Sequence, residues 1–321
     1  MPDSSDDTAQ FTTPTIPLGE LIAAMTTFLG YPPVDSLLVY VVDGPCIRVD
    51  LPAPEHCESL AAQMASVAAQ HGHDMFVMVI GGQPDRDLPH RGLVESLTRR
   101  LKDLRVTIHE AVWSPDVRAG ARWVSYTTDH RGVVPDPDTT LVAVHAAYEG
   151  IPKFSSRADM AASLAPDPAE ALRRRAELIT QLRDQPDIAT EAGHDLIKGV
   201  IAATNDGTDL DDDTLARVAR ALDDPDVRGW CLVSDDIPRD RSTNDAWARL
   251  VRALPAPERS FPACLLAIGT YLAGEGALTQ IAQEIAVTSD PDDTLAPLLG
   301  AAFQYGISPR EMRAILRRAR T

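Results

Sequence analysis

The stretch Phe28-Leu29-Gly30-Tyr31-Pro32-Pro33-Val34-Asp35-Ser36-Leu37-Leu38-Val39-Tyr40-Val41-Val42 decides how the N-terminal half of the chain folds. Ahead of it, Leu18, Leu21, Ile22, Met25 and Leu29 recur at the spacing of one helix face. Gly30 stands where a C-terminal cap belongs. Pro32 and Pro33 lack the N–H that a helix needs, and each extends the residue before it. From Ser36 the chain runs apolar almost without a break, as a strand buried on both faces does. Between break and strand lie Asp35 and Ser36. Short polar side chains here bond to nearby backbone N–H groups and close a turn. An exposed Asp before a buried strand is also a candidate ligand or base.

The same punctuation continues outward. Asp43-Gly44 signals a turn, and Cys46 to Leu51 alternates like a hairpin partner, with Ile47 and Val49 inward and Arg48 and Asp50 outward. Leu60, Met64, Val67 and His71 mark a helix that stops at Gly72, and Met75 to Ile80 is a second buried strand. A helix over Leu93 to Leu101, a strand over Arg105 to Trp113 and another over Ala121 to Thr127 follow. Strands alternating with helices imply a sheet with helices on its faces. Past Asp138 the strand signals vanish. Thr139 to Glu149 reads as helix, a capping box sits at Ser156 and Asp159, and Asp167-Pro168, Asp213 and Ser308-Pro309 each precede a helical pattern. The fold class expected is an α/β N-terminal lobe, a mixed sheet with helices on its faces, followed by an all-α C-terminal lobe. The expected division is 1–17 a disordered acidic tail, 18–137 an α/β domain and 138–321 a helical domain.

Composition bounds the function. The net charge is −17, shared as −10 over residues 1–150 and −7 over 151–321. Such a polyanion repels nucleic acid unless its cations are gathered in one place. The one basic stretch, Arg310 to Arg320, has five Arg and one Glu, and cations in a last helical turn suit the helix dipole. Cys46, Cys57, Cys231 and Cys264 form no paired motif and read as small hydrophobes, so no metal or cofactor is expected. With no signal peptide and no apolar run long enough for a membrane span, the expected setting is cytoplasmic.

Two distant segments carry a resemblance. Leu29, Gly30, Tyr31, Pro33, Asp35, Ser36, Leu37 and Leu38, followed by Arg48, Asp50, Leu51 and Pro52, form one. The other is Tyr271 to Pro309, with Gly274-Glu275-Gly276-Ala277 between two helices and then Asp-Pro and Leu-Ala pairs. Together with Trp123 to Tyr126 and Ser155 to Asp167 they resemble a bacterial family known as domain of unknown function 4192, found mainly in actinobacteria. The likeness runs from about Leu18 to the C-terminus. Relatives often carry cysteines after the Trp-Val-Ser-Tyr segment, whereas Thr127 to Asp138 has none, so no metal or disulfide is carried over. Val227-Arg228-Gly229 stands where Val-Arg-Asp is common. The resemblance implies a fold and a setting, not an activity.

The candidate ligand-binding residues are Asp35, Ser36, Arg48, Asp50, Gly81 and Gly82. Arg48 and Asp50 lie two apart on a strand and so face one side. If Asp35 lies beside them, three charged groups converge. Gly81-Gly82 follows a buried strand, where ligands bind in α/β sheets, but lacks any phosphate-loop pattern. Asp129, His130 and Arg131 read as an exposed loop. Glu275 is a candidate cap for the helix after it. Small residues at Ala267, Gly269, Ala273, Ala277 and Ala282 allow close helix contact, in the core or in an oligomer. The expectation is a binding or assembly module, a homo-oligomer or the partner of another protein. The alternative is an enzyme or small-ligand binder with its pocket at the strand ends.

Overall fold

The computed structural model describes residues 17–83 and 87–318. The acidic tail expected over 1–17 therefore lies, Pro17 apart, outside the described residues. Helix α1 (Leu18–Leu29) ends as the sequence requires: Gly30 adopts φ 79° and its N–H reaches the Thr27 carbonyl. After the prolines comes β1 (Ser36–Val41), buried at every position but Tyr40. The Asp43-Gly44 turn leads into β2 (Cys46–Asp50). Then follow α2 (Cys57–Ala68), β3 (Asp74–Ile80), α3 (Arg91–Asp103), β4 (Thr107–Ser114), β5 (Arg122–Ser125) and β6 (Arg131–Val133).

The six strands form one sheet in the order β2-β1-β3-β4-β5-β6. Only β3 and β4, joined through α3, are parallel; every other neighbouring pair is antiparallel. Leu37, Val79 and Trp113 align on one face, which α2 and α3 cover with Met64, Leu93 and Leu97. Leu38, Met78 and Val112 align on the other, together with Arg48. That face is covered by α1 and by the helical region. The side expected to be outward for Arg48 is thus a covered side, and its side chain keeps 18% of its exposure.

Past β6 the chain is helical: α4 (Leu141–Tyr148), α5 (Arg157–Ala162), α6 (Ala169–Arg183), α7 (Thr190–Asn205), α8 (Asp212–Ala221), α9 (Pro225–Val233), α10 (Arg241–Ala253), α11 (Ser260–Ala273), α12 (Gly276–Ser289), α13 (Leu295–Gln304) and α14 (Pro309–Arg318). Among the described residues no helix is long and apolar enough to cross a membrane. Helix α11 is buried almost end to end and packs against α10, α12 and α13. A Cβ on Gly269 would lie 1.9 Å from Asn244 Oδ1 of α10. Ala267, Gly269 and Ala282 are therefore consumed by the chain's own core.

Several local expectations change. Ser156 caps α5, but Asp159 returns its carboxylate to the Ser155 N–H. Pro168, whose ring has no acceptor, is the capping position of α6, and Asp167 does not cap the helix but pairs with Arg175 at 2.7 Å. Asp211, not Asp213, caps α8. Ser308 and Glu311 do exchange both bonds of a capping box at α14. Arg131, read as loop, opens an edge strand, and Gly132 leaves room for the Trp123 ring, 2.8 Å from where a Cβ would stand.

Candidate functional site

The six candidate residues gather at one end of β1, but in two groups. Ser36 pairs in register with Asp50 and with Ile80. Its hydroxyl donates to the Val34 carbonyl at 2.7 Å and accepts from Arg48 Nε at 2.9 Å. Arg48 Nη2 pairs with the Asp50 carboxylate. Asp35 turns the other way. It holds φ 42°, its carbonyl accepts from Leu51 N at 2.9 Å, and its Oδ1 accepts a long 3.4 Å bond from Gly82 N. Gly81 packs so closely that a Cβ there would lie 2.3 Å from Asp35 Oδ1. Among the described residues Asp35 makes no ion pair with Arg48. The turn is closed across the sheet by Gly82 rather than by a neighbouring N–H, which the short-range reading of Asp-Ser turns does not anticipate.

Arg48 leads from this edge into a cavity that pattern reading did not find. It lies between the sheet and the helical region, encloses about 180 Å3, and is lined by Tyr31, Arg48, His71, Tyr271, Gly276 and Phe303 among others. Its walls are aromatic: the Tyr271 and Phe303 rings stand 4.5 Å apart, and the Tyr271 hydroxyl is fixed on the Ile307 carbonyl. Its polar groups are underused. Tyr31 is 3% exposed, and its hydroxyl makes no hydrogen bond among the described residues. Burial raises the Tyr31 hydroxyl above its ordinary pKa, with Arg48 opposing, so it stays a protonated donor. Burial lowers the His71 pKa, against a smaller pull from Glu311, and leaves a neutral imidazole at pH 7. Burial also pushes the Cys46 thiol, another lining group, up to about 12.

The Gly274-Glu275-Gly276 turn forms the far wall. Gly274 closes α11 at φ 83°, and Glu275 N returns to the Thr270 carbonyl at 2.9 Å, the bond of a left-handed helix stop. Glu275 does not cap α12: its side chain makes no capping bond. Burial raises the Glu275 pKa, Arg241 of α10 opposes this and Asp245 adds to it. Gly276 has no positive φ, and a Cβ there would meet nothing within 4 Å. Neither backbone nor packing demands a glycine at this exposed position on the cavity lining.

A second polar cluster was also missed. Glu110, 6% exposed on β4, accepts from Ser125 Oγ at 2.7 Å, Thr127 Oγ1 at 2.9 Å, Thr128 Oγ1 at 3.3 Å and His130 Nδ1 at 2.9 Å. Because a carboxylate only accepts, the imidazole Nδ1 carries the proton. The signal lay in the sequence: a lone Glu inside the apolar strand Ile108 to Trp113 needs buried donors. No group of three or more His, Cys, Asp or Glu among the described residues is placed to hold a metal.

Fold and site together define a mixed α/β protein whose helical region walls a small aromatic cavity on one sheet face. A family model described as "Domain of unknown function (DUF4192)" matches residues 19–310, and the chain belongs to that family. No curated protein matches the chain, and no solved structure does.

Proposed function

We propose that the chain binds a small ligand in the cavity between the sheet and the helical region. One observation carries the reading. The two distant segments that bear the family pattern, Leu29 to Pro52 and Tyr271 to Pro309, face each other across this cavity, contributing Tyr31 and Arg48 from one and Tyr271 and Gly276 from the other. A mostly apolar hollow with a few convergent polar groups is the usual form of a ligand site. Binding is favoured over turnover because the lining thiol is held protonated and His71, though it feels the Glu311 charge, makes no hydrogen bond to a carboxylate among the described residues. The test is a fragment screen by thermal shift and ligand-observed NMR on the wild type and on Gly276→Leu. The wild type should give hits that the variant loses while melting normally. Hits indifferent to Gly276→Leu, or none, would remove the cavity from consideration.

A second reading, self-association, keeps one observation of its own. Leu141 and Tyr148, 87% and 86% exposed, share a face of α4 with half-exposed Val144. Such a face is suited to meeting its copy about a two-fold axis. Native mass at micromolar concentration tests it, and a monomer would end it.

A further inference from the structure

Resting on the ligand-binding reading, we infer that the cavity takes a small monocyclic carboxylate, its acid group held by Arg48 and the first-turn amides of α12, its ring against Tyr271 and Phe303.

Size comes first. The free space of about 180 Å3 compares with the roughly 150 Å3 that holds one benzene ring in an apolar cavity. One ring and a short polar group match that space. The walls suit a ring. Tyr271 and Phe303 lie at 4.5 Å with a 35° tilt, and Phe28 and Leu29 continue the apolar lining.

Charge comes second. Helix α12 has fourteen residues and begins at the cavity with Gly276 and Ala277. No side chain caps it, so its orphan N–H groups and the positive end of its dipole meet the hollow. Arg48 adds a full charge. Two of its five N–H donors serve Ser36 and Asp50, and the others make no hydrogen bond among the described residues. Asp50 offsets part of that charge, since its field opposes that of Arg48 at Tyr31, but its own side chain is 82% exposed to water, which screens it. The hydroxyl of Tyr31, a residue only 3% exposed, makes no hydrogen bond among the described residues and supplies one more donor on the same lining. These donors share one lining; of the nearby carboxyl groups, Glu275 feels Arg241 and Asp245 of α10, and Glu311 acts on the His71 and Tyr271 part of the wall. A carboxylate satisfies this set as an acceptor-only group, and Arg with amide donors is the pairing that makes charge-assisted bonds strong.

The experiment uses matched probes on the full chain: benzoate and phenylacetate against benzamide and phenylacetamide, titrated by calorimetry and ligand-observed NMR. The acids should bind at least tenfold more tightly than the amides. Arg48→Gln should bring acid affinity down to that of the amide, and Gly276→Leu should abolish binding of both. Since Arg48 also ties Ser36 to Asp50, circular dichroism is recorded for each variant, and Gly276→Leu, whose Cβ would meet nothing within 4 Å, carries the test if Arg48→Gln fails to fold. Amides binding as well as acids would overturn the carboxylate assignment and leave the cavity reading standing. Acids that still bind Gly276→Leu, or no probe binding at millimolar concentration, would overturn both.

Discussion

At Gly81 two constraints coincide. Its φ of 103° is costly for any side chain, and the Cβ position falls 2.9 Å from the Asp35 backbone as well as 2.3 Å from its carboxylate. Gly81→Ala should therefore destabilise the fold by about 2–4 kcal/mol, read as a lower urea midpoint at unchanged slope. Glu110 makes a different prediction. Burial alone would raise its carboxyl, but the bonds from Ser125, His130 and Thr127 outweigh it and hold the pKa below the ordinary value. A depressed carboxyl stabilises the fold above its unfolded pKa and loses that contribution as pH falls through the folded one. Glu110→Gln should cost about 1–3 kcal/mol near neutrality. Its melting temperature should fall less steeply than wild type in acid, below the ordinary glutamate range. Parallel pH profiles would show that the network does not depend on the charge. The sequence made the Asp35 turn legible but not its partner, because Gly82 is remote along the chain. It made Arg48 and Asp50 legible as a pair, since period-two spacing alone puts them on one face.

Elements were legible in proportion to their apolar runs. β1 and β3 are continuous hydrophobic strands, and the helix pair α11 and α12 is announced by small residues around Gly274. β6 was not legible: three residues, one a glycine, carry too little pattern to outweigh loop signals, and the strand is defined by its pairing with β5 and by Trp123 packing against Gly132. Helix starts shifted where an acidic side chain found a better partner, as Asp167 did in Arg175. The small residues of α11 were legible but ambiguous between core and oligomer. Their role in the core can be weighed. Gly269→Ala must displace the buried Asn244 side chain, which stands 1.9 Å from the new methyl. The expected cost is about 1–3 kcal/mol by overpacking. Asn244→Ala combined with Gly269→Ala should recover part of that loss, since the clash disappears. If the double variant is no better than the sum of the singles, the contact is not what fixes α10 on α11. In α14, Arg313 donates to the Leu272 carbonyl at 2.8 Å, so one cation of the basic stretch already serves the C-terminal end of α11, while Arg320 lies outside the described residues.

At the scale of the molecule the α/β part and the helical part share one apolar cluster. Leu38, Met78, Ile80 and Val112 of the sheet belong to the same buried set as Leu21 and Met25 of α1, Met160 of α5 and Leu265 of α11. The junction is specific as well as oily. Phe154 N–H donates to the Gly30 carbonyl at 2.8 Å, Met160 Cε sits 2.8 Å from where a Gly30 Cβ would be, and Arg157 pairs with Glu284 at 2.9 Å. A sheet face covered by residues far along the chain cannot stay buried once those residues leave. The whole chain should therefore melt in a single calorimetric transition, with the calorimetric and van't Hoff enthalpies in agreement. Residues 18–137 expressed alone should expose the second sheet face, bind a hydrophobic dye and aggregate. The cavity lies on this seam, so a ligand held there should raise the one transition as a unit, not part of it. Two resolved transitions, or a soluble 18–137 fragment with native-like strand signal, would mean that the two parts are separate folding units and that the seam can open without unfolding either.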